Sequence, residues 1–225
     1  MHYHLITLFP DSLSSYLGES ILKRAIEDKK IKVSFYNPRD FADKDLSKEK
    51  EFQAVRIDKK PYGGGPGMVI QALPVIKALE AASKKFKNKK GRKAKFVWFS
   101  PSGTSFTTEY AKNLVNKKYT DIVMISGRYE GIDARVKKIF KSEDVSVGPY
   151  VLTGGELPAM IMIDCISRQI EGVLGDINSL EESRTATSDV YTRPEVLEYK
   201  KKKYKVPKIL LSGNHAEIEK WKRDN

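Results

Sequence analysis

Val145-Ser-Val-Gly148-Pro-Tyr-Val-Leu-Thr-Gly154-Gly155-Glu-Leu-Pro158 decides the fold class. A β-branched run leads in, glycines bracket an apolar Tyr-Val-Leu core, and a helical pattern over 156–168 leads out. Strand, loop and helix in that order is where α/β proteins place ligands, outside the carboxyl ends of strands. The loop matches neither GxxxxGK[ST] nor GxGxxG, and it carries no lysine to hold a phosphate. It suits the close approach of bare backbone to a flat, largely uncharged ligand.

The same alternation extends upstream. Apolar strands are predicted at 95–99 and 121–125. They end in Ser100-Pro-Ser-Gly103 and Ser126-Gly-Arg-Tyr-Glu-Gly-Ile-Asp133. Helices are predicted at 73–86, 108–117 and 133–140, and a third strand at 144–147. Nearer the N-terminus, 2–8 reads as a strand and 31–36 as another. Between them, 11–29 reads as one helix with Leu13, Leu17, Ile21, Leu22 and Ile26 on a face. Residues 38–67 are polar and broken, closing in Pro61-Tyr-Gly-Gly-Gly-Pro-Gly67. The expectation is an α/β fold with a mainly parallel, two-sided sheet. Its three glycine-bearing strand ends converge on one pocket with room for an adenine and a ribose.

After Arg168 the texture changes. Residues 169–190 are rich in Gly, Ser, Thr, Asp and Glu and read as a flexible linker. Residues 191–225 read as a small helical domain, with Asn214 as N-cap and Glu217 three residues on. The expected organisation is thus a 1–168 domain, a linker and a tail.

The 225 residues carry 41 Lys plus Arg against 29 Asp plus Glu, a net charge of +12. That excess suits a polyanionic partner, nucleic acid being the usual one. It clusters at 84–95, with eight basic residues and no acid, and in the tail at Lys200-Lys-Lys-Lys203, Lys205, Lys208, Lys220, Lys222 and Arg223, interleaved with Tyr199, Tyr204 and Trp221. A solvated basic surface is the competing reading of both clusters. Cys165 is the only cysteine, which excludes an internal disulfide and makes a cytoplasmic location the expectation. Cys165 falls in the apolar pattern Met160-Ile-Met-Ile-Asp-Cys-Ile166 and reads as a core residue. No apolar run reaches the roughly 18 residues of a membrane span, and the N-terminus lacks a signal-peptide pattern. The three histidines offer no zinc-ligand spacing.

Eight motifs run in order along the chain: Leu8-Phe-Pro10, Pro38-Arg-Asp-Phe41, Pro61-Tyr-Gly-Gly-Gly-Pro-Gly-Met68, Gly127-Arg-Tyr-Glu-Gly-Ile-Asp133, Gly148-Pro-Tyr-Val-Leu-Thr-Gly-Gly-Glu-Leu-Pro-Ala159, Gly172-Val-Leu-Gly175, Tyr191-Thr-Arg-Pro-Glu-Val196 and Leu210-Leu-Ser-Gly-Asn-His-Ala-Glu-Ile218. Together they resemble the bacterial tRNA (guanine-N1)-methyltransferases of the SPOUT class. The resemblance implies a deep C-terminal trefoil knot in the α/β domain, a homodimer with a shared active site, and S-adenosylmethionine as methyl donor. It also implies Mg²⁺, for which the sequence has no dedicated cage. The implied substrate is the guanine just 3′ of the anticodon in tRNA, at position 37.

For the cofactor, the resemblance assigns Trp98, Phe99, Ser100, Pro101 and Gly103 in the first loop. It assigns Gly127, Tyr129, Glu130 and Gly131 in the second. In the third it assigns Val147, Gly148, Pro149, Tyr150, Val151, Leu152, Gly154 and Gly155. Pro149 stands where the family usually has aspartate.

Methylation at guanine N1 must remove that nitrogen's proton, and charge then builds on O6. The resemblance gives the cation role to Arg168. The family's base is an aspartate in a Ser-x-x-x-Asp-Ser motif, where this chain reads Ser179-Leu-Glu-Glu-Ser183. Anchoring on Ser183 makes Glu182 the base; anchoring on Ser179 leaves Glu181 open as well. Asp189 is a weaker candidate for a further functional aspartate. The family usually continues with more helix beyond the point matching Asn225, so a reduced RNA-binding part is expected, with 200–203 as a partial replacement. Two alternatives stand beside this reading: a related knotted methyltransferase acting on another RNA base, and a non-catalytic RNA-binding module. A nucleotide triphosphatase is disfavoured by the missing Walker lysine.

Overall fold

The computed structural model describes residues 1–42, 56–174 and 189–224. Within it the chain divides into two compact units, Met1–Val173 and Leu174–Asn225.

The first unit is organised by five parallel strands in the order β2-β1-β6-β5-β7. These are β1 (His2–Ile6), β2 (Lys32–Tyr36), β5 (Ala94–Ser105), β6 (Asp121–Ile125) and β7 (Glu143–Ser146). Alternation along each central strand feeds two cores. Tyr3, Leu5, Val97, Ile122 and Met124 face one side, and there they meet α1 (Asp11–Leu17), α2 (Ser20–Glu27), α4 (Thr108–Asn116) and α6 (Glu156–Arg168). Ile6, Val123 and Ile125 face the other, against α3 (Ala72–Ser83) and α5 (Arg135–Phe140). Every residue of β6 is buried, as expected for a central parallel strand covered on both faces. The mixed α/β fold with a parallel central sheet thus follows the sequence expectation.

Three elements differ from that expectation. The single helix over 11–29 is two helices broken at Gly18, whose N–H bonds the Ser14 carbonyl at 2.9 Å and ends α1. The polar stretch before residue 71 contains a 3₁₀ turn (Pro38–Phe41) and a two-stranded ribbon, β3 (Asp58–Lys59) and β4 (Val69–Ile70). The strand at 95–99 does not stop at Phe99. Phe99 and Thr104 both pair with Val145, so residues 100–103 loop out of one long strand and pairing resumes beyond them.

The second unit corrects the reading of a helical tail. An antiparallel hairpin, β8 (Val196–Tyr199) with β9 (Lys202–Lys205), precedes α7 (Lys208–Leu211) and α8 (His215–Asp224). The Tyr191 and Trp221 rings pack 6.3 Å apart within this unit, giving Trp221 a structural contact. Among the described residues no helix is long and apolar enough to cross a membrane.

Candidate functional site

The loop at 100–103 within β5 and the loops at the carboxyl ends of β6 and β7 together enclose a cavity of about 290 Å³. The third loop closes it. From β7 at the sheet edge the chain returns past β5 to the end of β6, where the Gly155 N–H donates to the Gly127 carbonyl at 3.0 Å. Arg128 and Gly154 form an isolated antiparallel bridge beside that bond. Glycine is required for this approach: a Cβ on Gly155 would lie 2.5 Å from the Ser126 Cα.

The lining includes Trp98, Phe99, Ser100 and Pro101 from the first loop, and Gly127, Tyr129, Glu130 and Gly131 from the second. From the third come Val147, Gly148, Tyr150, Val151, Leu152, Gly154 and Gly155. Two assigned residues are not part of the lining. Gly103 lies against β7, where a Cβ would sit 2.5 Å from the Val145 nitrogen, so its glycine serves strand packing. Pro149 is exposed. Tyr129 adopts a left-handed φ of 59°, a strained conformation of the kind that clusters at ligand sites. The Ser146 hydroxyl donates to the Gly148 carbonyl at 3.0 Å, and the Tyr150 hydroxyl donates to the Val147 carbonyl at 3.0 Å. These bonds fix the third loop on itself.

Arg128, also in the lining, and the buried Glu156 were missed as site residues. Glu156 opens α6 at 3% exposure. One carboxylate oxygen accepts from the Thr7 hydroxyl at 2.7 Å; the other lies 2.9 Å from Arg128 Nε. That second contact is out of line for a hydrogen bond and is a charge pairing. Arg128 also stacks over the Phe9 ring at 4.7 Å and donates to the Thr153 carbonyl at 3.4 Å. The network ties β1, the second loop and the third loop together. Its sequence signal was present in Leu8-Phe-Pro10 and in the Arg and Glu of the two loop motifs.

The Pro61–Met68 glycine motif, left without a role by sequence, abuts the second loop. The Glu130 N–H donates to the Met68 carbonyl at 3.0 Å, and Gly67 lies against the Glu130 side chain.

Arg168 sits at the far end of α6 from the cavity, roughly 20 Å along the helix from Gly155 at 1.5 Å per residue. Glu181 and Glu182 lie outside the described residues; Asp189 is exposed. The structure therefore gathers the three loops within one chain and leaves Arg168 remote from them.

Donor chemistry separates the two implied ligands. Backbone amides, apolar side chains and the absence of lysine among the lining residues fit an adenosyl group. For a metal, the lining offers one carboxylate, Glu130. A grouping that sequence spacing did not reveal, His2, His4 and Asp121, forms at the opposite, amino end of the sheet. There Arg92 grips the Asp121 carboxylate with two bonds of 2.8 and 2.5 Å. A buried carboxylate already neutralised by a guanidinium is poorly suited to a cation. Burial lowers the His2 pKa to about 4 and the His4 pKa below its ordinary value, so both rings are neutral at physiological pH. Asp121 is lowered as well: its bonds to Arg92, His4 and Thr120 outweigh an opposing burial effect.

The family model described as tRNA (Guanine-1)-methyltransferase TrmD matches residues 1–225. The chain belongs to this family. A tRNA (guanine-N(1)-)-methyltransferase of Campylobacter jejuni subsp. doylei is 40% identical over 226 residues, covering 99% of this chain and 90% of that one. One from Caldanaerobacter subterraneus subsp. tengcongensis is 44% identical over 227 residues, covering 99% and 86%. The crystal structure of tRNA (m1G37) methyltransferase from Aquifex aeolicus superposes with a TM-score of 0.75 at 34% identity, covering 100% of this chain and 88% of that one. Family membership gives the glycine-lined cavity its context: it lies on the scaffold of a methyltransferase.

Proposed function

We propose that this enzyme transfers a methyl group to N1 of the guanine 3′ of the anticodon, position 37, in tRNA, with S-adenosylmethionine as donor. The observation that carries this reading is the cavity formed by three strand-end loops in a chain of this family. The loops at 98–101, 127–131 and 147–155 would hold the adenosyl group through backbone and apolar contacts. The bound donor supplies an electrophilic methyl carbon. Glu182 is the proposed base for the N1 proton, and Arg168 the proposed partner of the charge that develops on O6. Mg²⁺ rests on the resemblance alone, with Glu130 the lining's single carboxylate.

The remoteness of Arg168 from its own chain's cavity supports a homodimer with a shared site. So does the surface of α6. Ala159, Met162, Ile163 and Ile166 are buried, yet the opposite face presents Leu157, Met160, Ile161 and Cys165. Leu157 and Ile161 are exposed, Met160 and Cys165 half-buried. With Tyr16 of α1 they line an open apolar groove. A helix apolar on both faces asks for a partner. The reading also includes the trefoil knot, supported by the return of the third loop past β5, and a cytoplasmic location, where tRNA is modified.

Methyl transfer to tRNA with site mapping tests the function. The expected product is N1-methylguanine at the guanine 3′ of the anticodon. Methylation of another base supports the related-methyltransferase alternative, and tight tRNA binding without transfer supports the binding module.

A further inference from the structure

The hairpin β8–β9 is joined by two residues, Lys200 and Lys201, both left-handed with φ of 47° and 63°. That is the backbone of a two-residue type I′ turn, which favours Asn-Gly. Lysine disfavours it, so the residue choice works against local stability. The hairpin holds five lysines and one glutamate. Its register places Leu197 opposite Tyr204, and Tyr199 opposite Lys202. Side chains of directly opposed residues share a face, so Tyr199 and Tyr204 lie diagonally on the same face. Both are more than half exposed, at 59% and 53%, as is Leu197 at 57%. Lys200 Nζ lies over the Tyr199 ring, 5.3 Å from its centroid.

Two exposed tyrosines on one sheet face, edged by lysine, combine the two elements of a single-strand platform: aromatic faces for bases and cations for the backbone. We propose that this hairpin binds an unpaired segment of the RNA substrate by stacking bases on Tyr199 and Tyr204, with Lys200 and Lys201 at phosphates. The proposal rests on the reading of the protein as a tRNA methyltransferase. Charge decides the occupant. A second copy of the hairpin would set five lysines against five, whereas RNA complements them. Paired RNA keeps its bases stacked within the helix; loop bases are free to leave it.

The test compares full-length wild type with Tyr199→Ala/Tyr204→Ala and Tyr199→Phe/Tyr204→Phe. Binding to an anticodon stem–loop and to a fully paired RNA of equal length is measured by fluorescence anisotropy across a salt series. The alanine pair is expected to weaken stem–loop binding by about tenfold or more, with the salt slope and the duplex affinity unchanged. The phenylalanine pair is expected to bind as wild type, because the ring is kept. Unchanged stem–loop affinity in the alanine pair, or an equal loss on duplex, overturns the proposal. Lys200→Asn/Lys201→Gly is expected to raise the melting temperature and flatten the salt slope by about 0.7 per lost phosphate contact. A raised melting temperature with an unaltered slope overturns the phosphate role. Failure of the wild type to methylate guanine N1 would sink the proposed function, while the binding losses would still decide the platform.

Discussion

Removing the Glu156 carboxylate tests whether the third loop is held by charge. Glu156→Ala leaves the Thr7 hydroxyl, on a residue 1% exposed, without its acceptor. It also leaves the Arg128 guanidinium, on a side chain 26% exposed, without its counter-charge. Breaking a buried pair costs about 3–5 kcal/mol, and the partial exposure of Arg128 brings the expectation to about 2–4 kcal/mol. For a chain of this size that is a fall of roughly 5–15 °C in melting temperature. Glu156→Gln keeps an acceptor for Thr7 and loses only the charge, so its loss is expected to be about half as large. The cofactor should report the damage separately, because Arg128 and Gly154 both line the cavity. Titration calorimetry with S-adenosylmethionine, at a temperature where each variant is folded, is expected to give about tenfold weaker binding for Glu156→Ala. A double-mutant cycle with Arg128→Met isolates the pair and should yield a coupling of about 1–3 kcal/mol. Additive losses, or a destabilised variant that binds cofactor as wild type does, would refute the tether.

Four further outcomes are expected. Glu182→Gln should lower single-turnover methyl transfer by about a hundredfold or more while leaving cofactor affinity intact; loss in Glu181→Gln instead would move the base by one residue. Arg168→Ala should be equally impaired, and mixing it with Glu156→Ala subunits should restore partial transfer if one copy's arginine serves the other's cavity; no restoration in confirmed heterodimers would place the arginine in its own chain's site. Ile161→Lys should yield monomers in sedimentation and abolish transfer, and an unaltered mass would exclude the α6 face as the interface. Stability should fall in acid: the native His2 ring titrates at about 4 against 6.5 unfolded, so its contribution is complete above pH 6.5 and is lost as pH falls toward 4. The effect is up to about 3 kcal/mol, reduced by the ring's 11% exposure, and His2→Asn should flatten the dependence of melting temperature on pH between 7 and 4.5.

The legible parts of the fold are those where one local signal has one solution. β6 carries an unbroken apolar run from Ile122 to Ile125, and α6 is bounded by Gly155 and the end of its periodicity, so both fall where their residues place them. The helix pair α1–α2 was read as one because Leu13, Leu17 and Ile21 keep helical spacing across Gly18, and periodicity does not register a break that preserves phase. The hairpin was missed because four consecutive lysines carry no strand alternation and the turn lacks Asn-Gly. The three loops were legible because glycine positions mark close approaches along the chain, whereas their individual residues were assigned by the family resemblance. The Thr7–Glu156–Arg128 network and the His2–His4–Asp121 cluster were not, because their partners meet only across the sheet.

One helix connects the parts of the proposed site. α6 starts where Gly155 docks on the second loop, exposes its apolar stripe around Ile161 at mid-length, and ends at Arg168. Helices pack at axial separations of about 8–10 Å. If two copies meet antiparallel on this stripe, the two-fold axis passes near Ile161. Each Arg168 is then carried from about 20 Å away in its own chain to the cavity end of the other copy's helix. A parallel pairing would bring the two arginines together and leave Arg168 remote from both cavities. The position of the stripe midway between cavity and arginine thus favours an antiparallel, isologous contact. Such a contact would make assembly a condition of the chemistry: cofactor binding, built from the loops of one chain, should survive in the monomer, and only transfer should need the pair.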